Sequence, residues 1–297
     1  MAKIKNYRGR FAPTPSGMLH FGSVVAALGS YLDAKSNKGK WFIRIDDIDQ
    51  SRNKLGANEI ILKQIEDLGL KWDEPIIYQS QRIDLYETAL QRLKELNHTF
   101  QCACSRKNVK NQIYPGTCRN KKNTSEQKYS IRIKSEDTQI SIIDRLQGWY
   151  AQNIKSEIGD FIIKRSDGYF AYHLATVVDD SEQRITNIVR GFDLLDSTVR
   201  QVFLQNKLKF NVPEYLHLPI AVDSSGKKIS KANNEIAHHA SSSKIILVNA
   251  LRFLGHYPPD DIENSDVEII LEWGIDNWNI NVIPKKAKIR HEIEAKI

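Results

Sequence analysis

Residues 10–23, "RFAPTPSGMLHFGS", set two prolines, two glycines and a histidine between a stretch that reads as a strand and one that reads as a helix. Upstream, "YRGRFAP" (7–13) alternates and ends in proline, which predicts a short strand. Downstream, "SVVAALGSYLDAKSNKG" (23–39) places Val24, Leu28, Tyr31 and Leu32 on one helical face. A strand that turns tightly into a helix presents the first N–H groups of that helix to whatever occupies the turn. Those unpaired donors and the helix dipole both favour phosphate. Gly22 lacks a Cβ and lets a group approach the backbone, Ser23 is a candidate cap, and His20 can add a donor to a phosphate oxygen.

The 297 residues are enough to bury a large core divided among two or three lobes. No apolar run approaches a membrane span, and "MAKIKNYRGRF" lacks the apolar centre of a signal peptide, so a cytoplasmic protein without a membrane partner is expected. A net charge of +7 permits a polyanionic partner without requiring one, because the excess is dispersed along the chain.

Strand and helix patterns alternate outward from the opening motif. "KWFIRI" (40–45) reads as a buried strand, followed by helices from about Leu55 to Leu68, closed by Gly69, and from Ile83 to Leu96. This is a βα pattern with a parallel sheet. From 98 to 160 the character changes to clustered cysteines, a polar run "RNKKNTSEQK" (119–128) and an alternating "YSIRIK" (129–134), which marks an inserted lobe. The α/β pattern resumes with "DFIIKRSDGYFAYHLATVVDD" (160–180), where "SDG" predicts a hairpin turn, then with the strand "RITNIVRG" (184–191) and a helix from Leu195 to Lys207. Four segments result: a first half-core over 1–97, an inserted lobe over 98–160, a second half-core over 161–240, and a helical region with a basic tail over 241–297.

All three cysteines lie in "CACSRKNVKNQIYPGTC" (102–118), as Cys102, Cys104 and Cys118. An odd number of clustered thiols suits a zinc site better than a disulfide scaffold, and zinc asks for a fourth donor. His98 and Tyr114 are both candidates, with histidine the commoner ligand. A second basic cluster, "DSSGKKISK" (223–231), follows the strand-like "LHLPIAV". Lys228 and Lys231 there can both face a phosphate chain, although the spacing is not that of a P-loop.

The glycine-rich turn with "HFGS" and the distant "KKISK" together resemble the paired phosphate-site signatures of class I aminoacyl-tRNA synthetases. Five further stretches narrow the resemblance: "GRFAPTPSGMLHFGSVVAALGSYLDA", "RIDDIDQSR", "DFIIKRSDGYFAYHLATVVDD", "IVRGFDLLDSTVRQ" and "CAC…Y…C". The chain is similar from about Arg8 to Ala232 to the glutamyl-queuosine tRNA(Asp) synthetases. The resemblance implies an α/β fold: a Rossmann-type catalytic core with an inserted zinc-containing lobe and a small helical C-terminal region. It also implies ATP-dependent activation of L-glutamate, followed by transfer to queuosine at the wobble position of tRNA(Asp).

Carried over by position, it implies a glutamate site of Arg10, Phe11, Ala12, Pro13, Thr14, Asp46, Tyr172 and Arg190. Arg10 and Arg190 would grip the side-chain carboxylate, Asp46 the ammonium, and the Tyr172 hydroxyl would assist. His20, Gly22, Lys228 and Lys231 would hold ATP with its Mg2+, His20 and Lys231 being the catalytic pair. The resemblance makes Tyr114 the fourth ligand, beside Cys102, Cys104 and Cys118, of one structural zinc. Two positions depart from the family pattern: Asp46 replaces a glutamate one methylene longer, and His173 replaces an asparagine. The alternative reading is a shortened glutamyl-tRNA synthetase charging the 3′ end of tRNA(Glu). The 66 residues after the lysine loop leave little room for the anticodon-binding domains expected there. A monomer is expected.

Overall fold

Strand β1 (Arg8–Phe11) leads into helix α1 (Phe21–Ser36), and β2 (Lys40–Ile45) returns parallel to β1 with Phe42 opposite Arg10. The computed structural model that shows this describes residues 6–105, 109, 113–121, 128–223, 226 and 240–290. After α2 (Ala57–Asp67), β3 (Ile77–Tyr78) pairs parallel to β2, and α3 (Ile83–Glu95) follows. The next segment is antiparallel. β4 (Thr99–Cys102) pairs with β5 (Ser130–Ile133), β6 (Gln139–Asp144) and β7 (Gly148–Asn153) form a hairpin, and β8 (Ile162–Lys164) joins the other edge of β5.

The parallel pattern then resumes. Helix α4 (Tyr172–Glu182) leads to β9 (Asn187–Gly191), and α5 (Leu195–Leu208) leads to β10 (Glu214–Leu218), parallel to β9. β11 (Ile220–Val222) continues the chain. Beyond it lie α6 (Ala240–Phe253), α7 (Asp260–Glu263), α8 (Val267–Asp276) and β12 (Lys288–Arg290), which pairs parallel to β11. The two parallel ribbons lie side by side along β1 and β9, where the Thr186 N–H donates to the Arg8 carbonyl over 2.9 Å. Strand order therefore runs β3-β2-β1-β9-β10, and it reverses between β1 and β9. In open α/β sheets that reversal leaves a crevice beyond the strand ends, where ligands bind.

Helix α1 begins three residues earlier than a cap at Ser23 would place it. His20 is the N-cap, its Nδ1 accepting from the Ser23 N–H at 3.2 Å. Nor is α1 amphipathic. Residues from Phe21 to Ala34 are buried nearly all round, because the sheet covers one side and α6 and α8 the other. At Gly29 a Cβ would stand 2.5 Å from Leu218 Cδ1, so glycine is what lets helix and strand approach this closely.

That burial strands a charge. Asp33, wholly inaccessible on α1, accepts from the Tyr7 hydroxyl at 2.5 Å, from Arg145 at 2.6 and 3.0 Å, and from Trp278 Nε1 at 3.0 Å. A buried carboxylate is tolerated only with such partners, and these come from three remote parts of the chain.

Candidate active site

The crevice at the strand reversal is a cavity of ≈ 260 Å³. Its walls are the segment that follows β1 (Arg10 to Thr14), the start of α1 (His20, Gly22, Ser23), Tyr172 at the head of α4, the end of β9 (Val189 to Gly191), and Leu218 to Ala221. Residues up to 211 positions apart thus line one space. At Gly22, a Cβ would meet the His20 ring at 3.2 Å, so the glycine makes room for the capping imidazole.

Arg190 is 5 % exposed and firmly held. Its Nε donates to His217 Nε2 at 3.1 Å, and its Nη2 donates to Thr198 Oγ1 at 2.7 Å. Nη1 points to the Tyr172 hydroxyl at 3.4 Å, so both groups reach the cavity as one unit. The acceptor role of His217 is itself fixed. Its Nδ1 lies 2.6 Å from Asp144 Oδ2, which places the proton on Nδ1 and leaves Nε2 free to accept. Burial, with Arg190 alongside, holds the His217 pKa below the ordinary histidine range, consistent with a neutral ring. Burial alone would raise Asp144, but hydrogen bonds from His217 and from the Gln147 and Leu146 amides hold its carboxyl below the usual range.

Arg10 is 4 % exposed and paired with Asp180, Nε to Oδ1 at 3.1 Å and Nη2 to Oδ2 at 3.3 Å. Asp180 also receives Arg44 Nη1 at 2.6 Å; the two arginines outweigh burial and hold its carboxyl below the usual range. Asp46 is not in the cavity wall. It is buried beside it, its N–H donating to the Pro13 carbonyl at 2.9 Å and its Oδ1 accepting from Arg44 Nε at 2.8 Å. Burial pushes its pKa up to about 6 against the pull of Arg44, with Asp179 adding to the rise.

His173, the other departure, packs edge-on to Phe161, and its Nδ1 has no hydrogen-bond partner among the described residues. Burial, with Arg200 and Arg190 nearby, pushes it down to about 3. The ring is therefore kept neutral. Lys228 and Lys231 lie outside the described residues.

In the antiparallel segment the three cysteines converge, with all sulfurs within 4.8 Å of one another. Tyr114 joins them: its Oη is 3.4 Å from Cys102 Sγ and 3.6 Å from Cys104 Sγ, and the two sulfurs Cys104 and Cys118 are 3.5 Å apart. Around zinc, bonds of about 2.3 Å to sulfur and about 2.0 Å to oxygen give tetrahedral edges of roughly 3.8 and 3.5 Å, so the four donors fit. His98 does not join the cluster, whereas the Tyr114 hydroxyl lies against it. The Cys118 N–H donates to Tyr114 Oη at 3.0 Å, and the Arg132 guanidinium stacks 4.1 Å above the ring.

Residues 6–287 match the model of the tRNA synthetases class I (E and Q), catalytic domain. The chain belongs to that family. The synthetase is 44 % identical over 286 residues to the glutamyl-Q tRNA(Asp) synthetase of Pseudomonas fluorescens, covering 96 % of each chain. It is 42 % identical to the protein of that name from Dechloromonas aromatica, covering 95 % of this chain and 97 % of the relative. In fold it resembles the glutamate-tRNA synthetase of Elizabethkingia anophelis, with a TM-score of 0.81 at 24 % identity, over 98 % of this chain and 69 % of that one.

Sequence reading assigned no role to Asp180, Asp144, His217 or Thr198. Two of them left a signal: the acidic pair closing "HLATVVDD" and the histidine inside the apolar run "LHLPIAV" are both polar groups in stretches that read as buried.

Proposed function

We propose that the synthetase activates L-glutamate with ATP and transfers it to queuosine at the wobble position of tRNA(Asp). The observation that carries the activation step is the Arg190–Tyr172 pair, held rigid at the strand reversal with Arg10 across the same cavity. The names of relatives matched over nearly their whole length support the choice of acceptor. Arg190, Tyr172 and Arg10 receive the side-chain carboxylate, and Asp46 takes the ammonium through its second oxygen or a bridging water. The glutamate α-carboxylate then attacks the α-phosphorus of ATP, the bond to the β-phosphate oxygen breaks, and pyrophosphate leaves. His20, Gly22 and the α1 terminus hold phosphate, while Lys228 and Lys231 add charge that stabilises the transferring group. A queuosine hydroxyl attacks the resulting mixed anhydride, releasing AMP. Mg2+ accompanies ATP. No described helix is long and apolar enough to cross a membrane, in keeping with a cytoplasmic enzyme.

Because all residues of the proposed adenylate site lie in this chain, glutamate-dependent ATP–pyrophosphate exchange is expected without tRNA. Exchange that appears only on adding tRNA would contradict this reading. A pH effect follows from Asp46. With a pKa of about 6 it is ionised at neutral pH and loses its charge as pH falls through that value, so KM for glutamate should rise towards pH 5. Asp46→Asn should show a raised KM that stays flat over the same range; a wild-type KM that is itself flat refutes the contact.

Cys102, Cys104, Tyr114 and Cys118 would hold one zinc ion, which ties β4 to the loop carrying Tyr114 and Cys118. All four positions are protein donors, so the role is structural. Elemental analysis should find one zinc per chain in the wild type and a value near zero in Cys104→Ser. Equal metal content in both proteins removes the assignment.

A further inference from the structure

The β6–β7 hairpin carries an apolar pair on its outer face. Ile143 and Trp149 stand directly opposite each other across the two strands and are 81 % and 69 % exposed, while Ile140, Ile142 and Asp144 on the other face are buried. A lone exposed apolar residue needs no account; a solvent-facing tryptophan with an isoleucine beside it does.

The turn of this hairpin is fixed to the catalytic sheet. The Arg145 N–H donates to the Tyr215 carbonyl at 2.8 Å, and Gln147 Nε2 donates to the His217 carbonyl at 2.8 Å; the next residues of that strand line the cavity. At the same turn, a Cβ on Gly148 would stand 3.5 Å from Lys285 Nζ.

From Lys285 a basic track runs to the cavity. Lys285, Lys286, Lys288 and Arg290 are all exposed, and none has an ion-pair partner among the described residues. β12 lies parallel on β11, with Lys288 opposite Ile220 and Arg290 opposite Val222, and Ile220 and Ala221 are part of the cavity wall. At the rise of a strand, residues 285–290 span about 16 Å. One continuous surface thus joins an exposed aromatic, four unneutralised cations and the mouth of the pocket.

We infer that this surface binds single-stranded RNA beside the acceptor nucleotide: Trp149 stacks an unpaired base of the anticodon loop, with Ile143 flanking it, and the 285–290 track takes the adjacent phosphates. Charge complementarity selects this occupant, since an acyl acceptor on RNA must bring several phosphates to the pocket mouth and the four cations of the track have no ion-pair partner among the described residues. The inference rests on the tRNA reading above. A loop base splayed out to reach the pocket leaves its neighbours unstacked, and an aromatic face restores the lost stacking.

The test uses the full-length protein and a tRNA(Asp) anticodon stem-loop carrying queuosine, with binding measured against salt concentration and pyrophosphate exchange measured in parallel. Trp149→Ala should weaken binding about ten-fold with little change in salt slope. Replacing Lys285, Lys286, Lys288 and Arg290 by glutamine should reduce the slope of log K against log salt by about 2.8 to 3.6, at roughly 0.7 to 0.9 for each of the four lost phosphate contacts. Both variants should keep wild-type exchange, since neither change touches the glutamate or ATP site. Wild-type binding and slope in both variants overturn the surface while leaving the acceptor assignment standing. A wild type that binds no queuosine loop overturns the acceptor reading, and this inference with it. Sedimentation covers the remaining occupant: if Trp149→Ala converts a dimer into a monomer and leaves RNA affinity unchanged, the face is a self-association surface and the inference falls.

Discussion

Arg190→Ala raises the KM for glutamate by about 30- to 4000-fold and leaves the KM for ATP within a few-fold of wild type. The range corresponds to the ~2–5 kcal/mol lost when one member of a buried, charge-assisted pair is removed. The glutamate side-chain carboxylate would then face the cavity with only the Tyr172 hydroxyl and Arg10, whose fork is already shared with Asp180. ATP is unaffected because its phosphates are assigned to the start of α1 and the lysine loop. Asp144→Asn is a more searching companion. An amide that donates to His217 Nδ1 moves the imidazole proton to Nε2, where it opposes the Arg190 Nε–H, so a residue that lines no part of the pocket should also raise glutamate KM. Exchange kinetics with glutamate and ATP varied separately give both answers. A normal glutamate KM in Arg190→Ala removes the carboxylate role.

The other large effect is close to all-or-none. A tRNA(Asp) anticodon stem-loop bearing queuosine accepts glutamate, and the same loop bearing guanine does not, because the acceptor hydroxyl belongs to the cyclopentenediol of the modified base. Oxidising the 3′-terminal ribose, with the queuosine diol protected, leaves acceptance intact. Labelled glutamate followed by thin-layer analysis, on tRNA(Asp) and on tRNA(Glu), reads out each arm. Acceptance that follows the 3′ end and ignores queuosine makes the protein a shortened glutamyl-tRNA synthetase. The two outcomes share one activation step, so only the acceptor decides between them.

Most of the sheet was legible because its signals are local. "KWFIRI" is β2 to the residue, and the helix read at Ile83–Leu96 runs from Ile83 to Glu95. The position of α1 was harder to read. Its sequence shows one apolar face, and nothing local tells that α6 and α8 will cover the opposite one. The cap passed from Ser23 to His20 for a related reason: a histidine caps less often than a serine, and it does so here because Gly22 leaves room for its ring. Arg10, Tyr172 and Arg190 were identified from motif context, and the structure places all three around one cavity. Their supports were not identified. Asp180 lies 170 residues from Arg10, and His217 lies 73 from Asp144, distances at which side-chain pairing has no periodic trace. Asp46 was read as the ammonium contact from motif context alone; that its N–H is bonded to the Pro13 carbonyl and its Oδ1 to Arg44 leaves no local trace in the sequence.

Asp33 also dictates an order of assembly. Its helix is made early on the ribosome, yet the indole that completes its hydrogen bonding is 245 residues downstream and follows α8. Until Trp278 emerges, the first βαβ unit can assemble only around an incompletely satisfied buried carboxylate, with the α6–α8 side of α1 bare. The amino-terminal half is therefore held back from its final state during synthesis, and the last helices close the fold. A nascent chain arrested before residue 278 should remain protease-sensitive within α1, and a chain in which Trp278 has left the ribosome should have that helix and the adjacent β1 protected together.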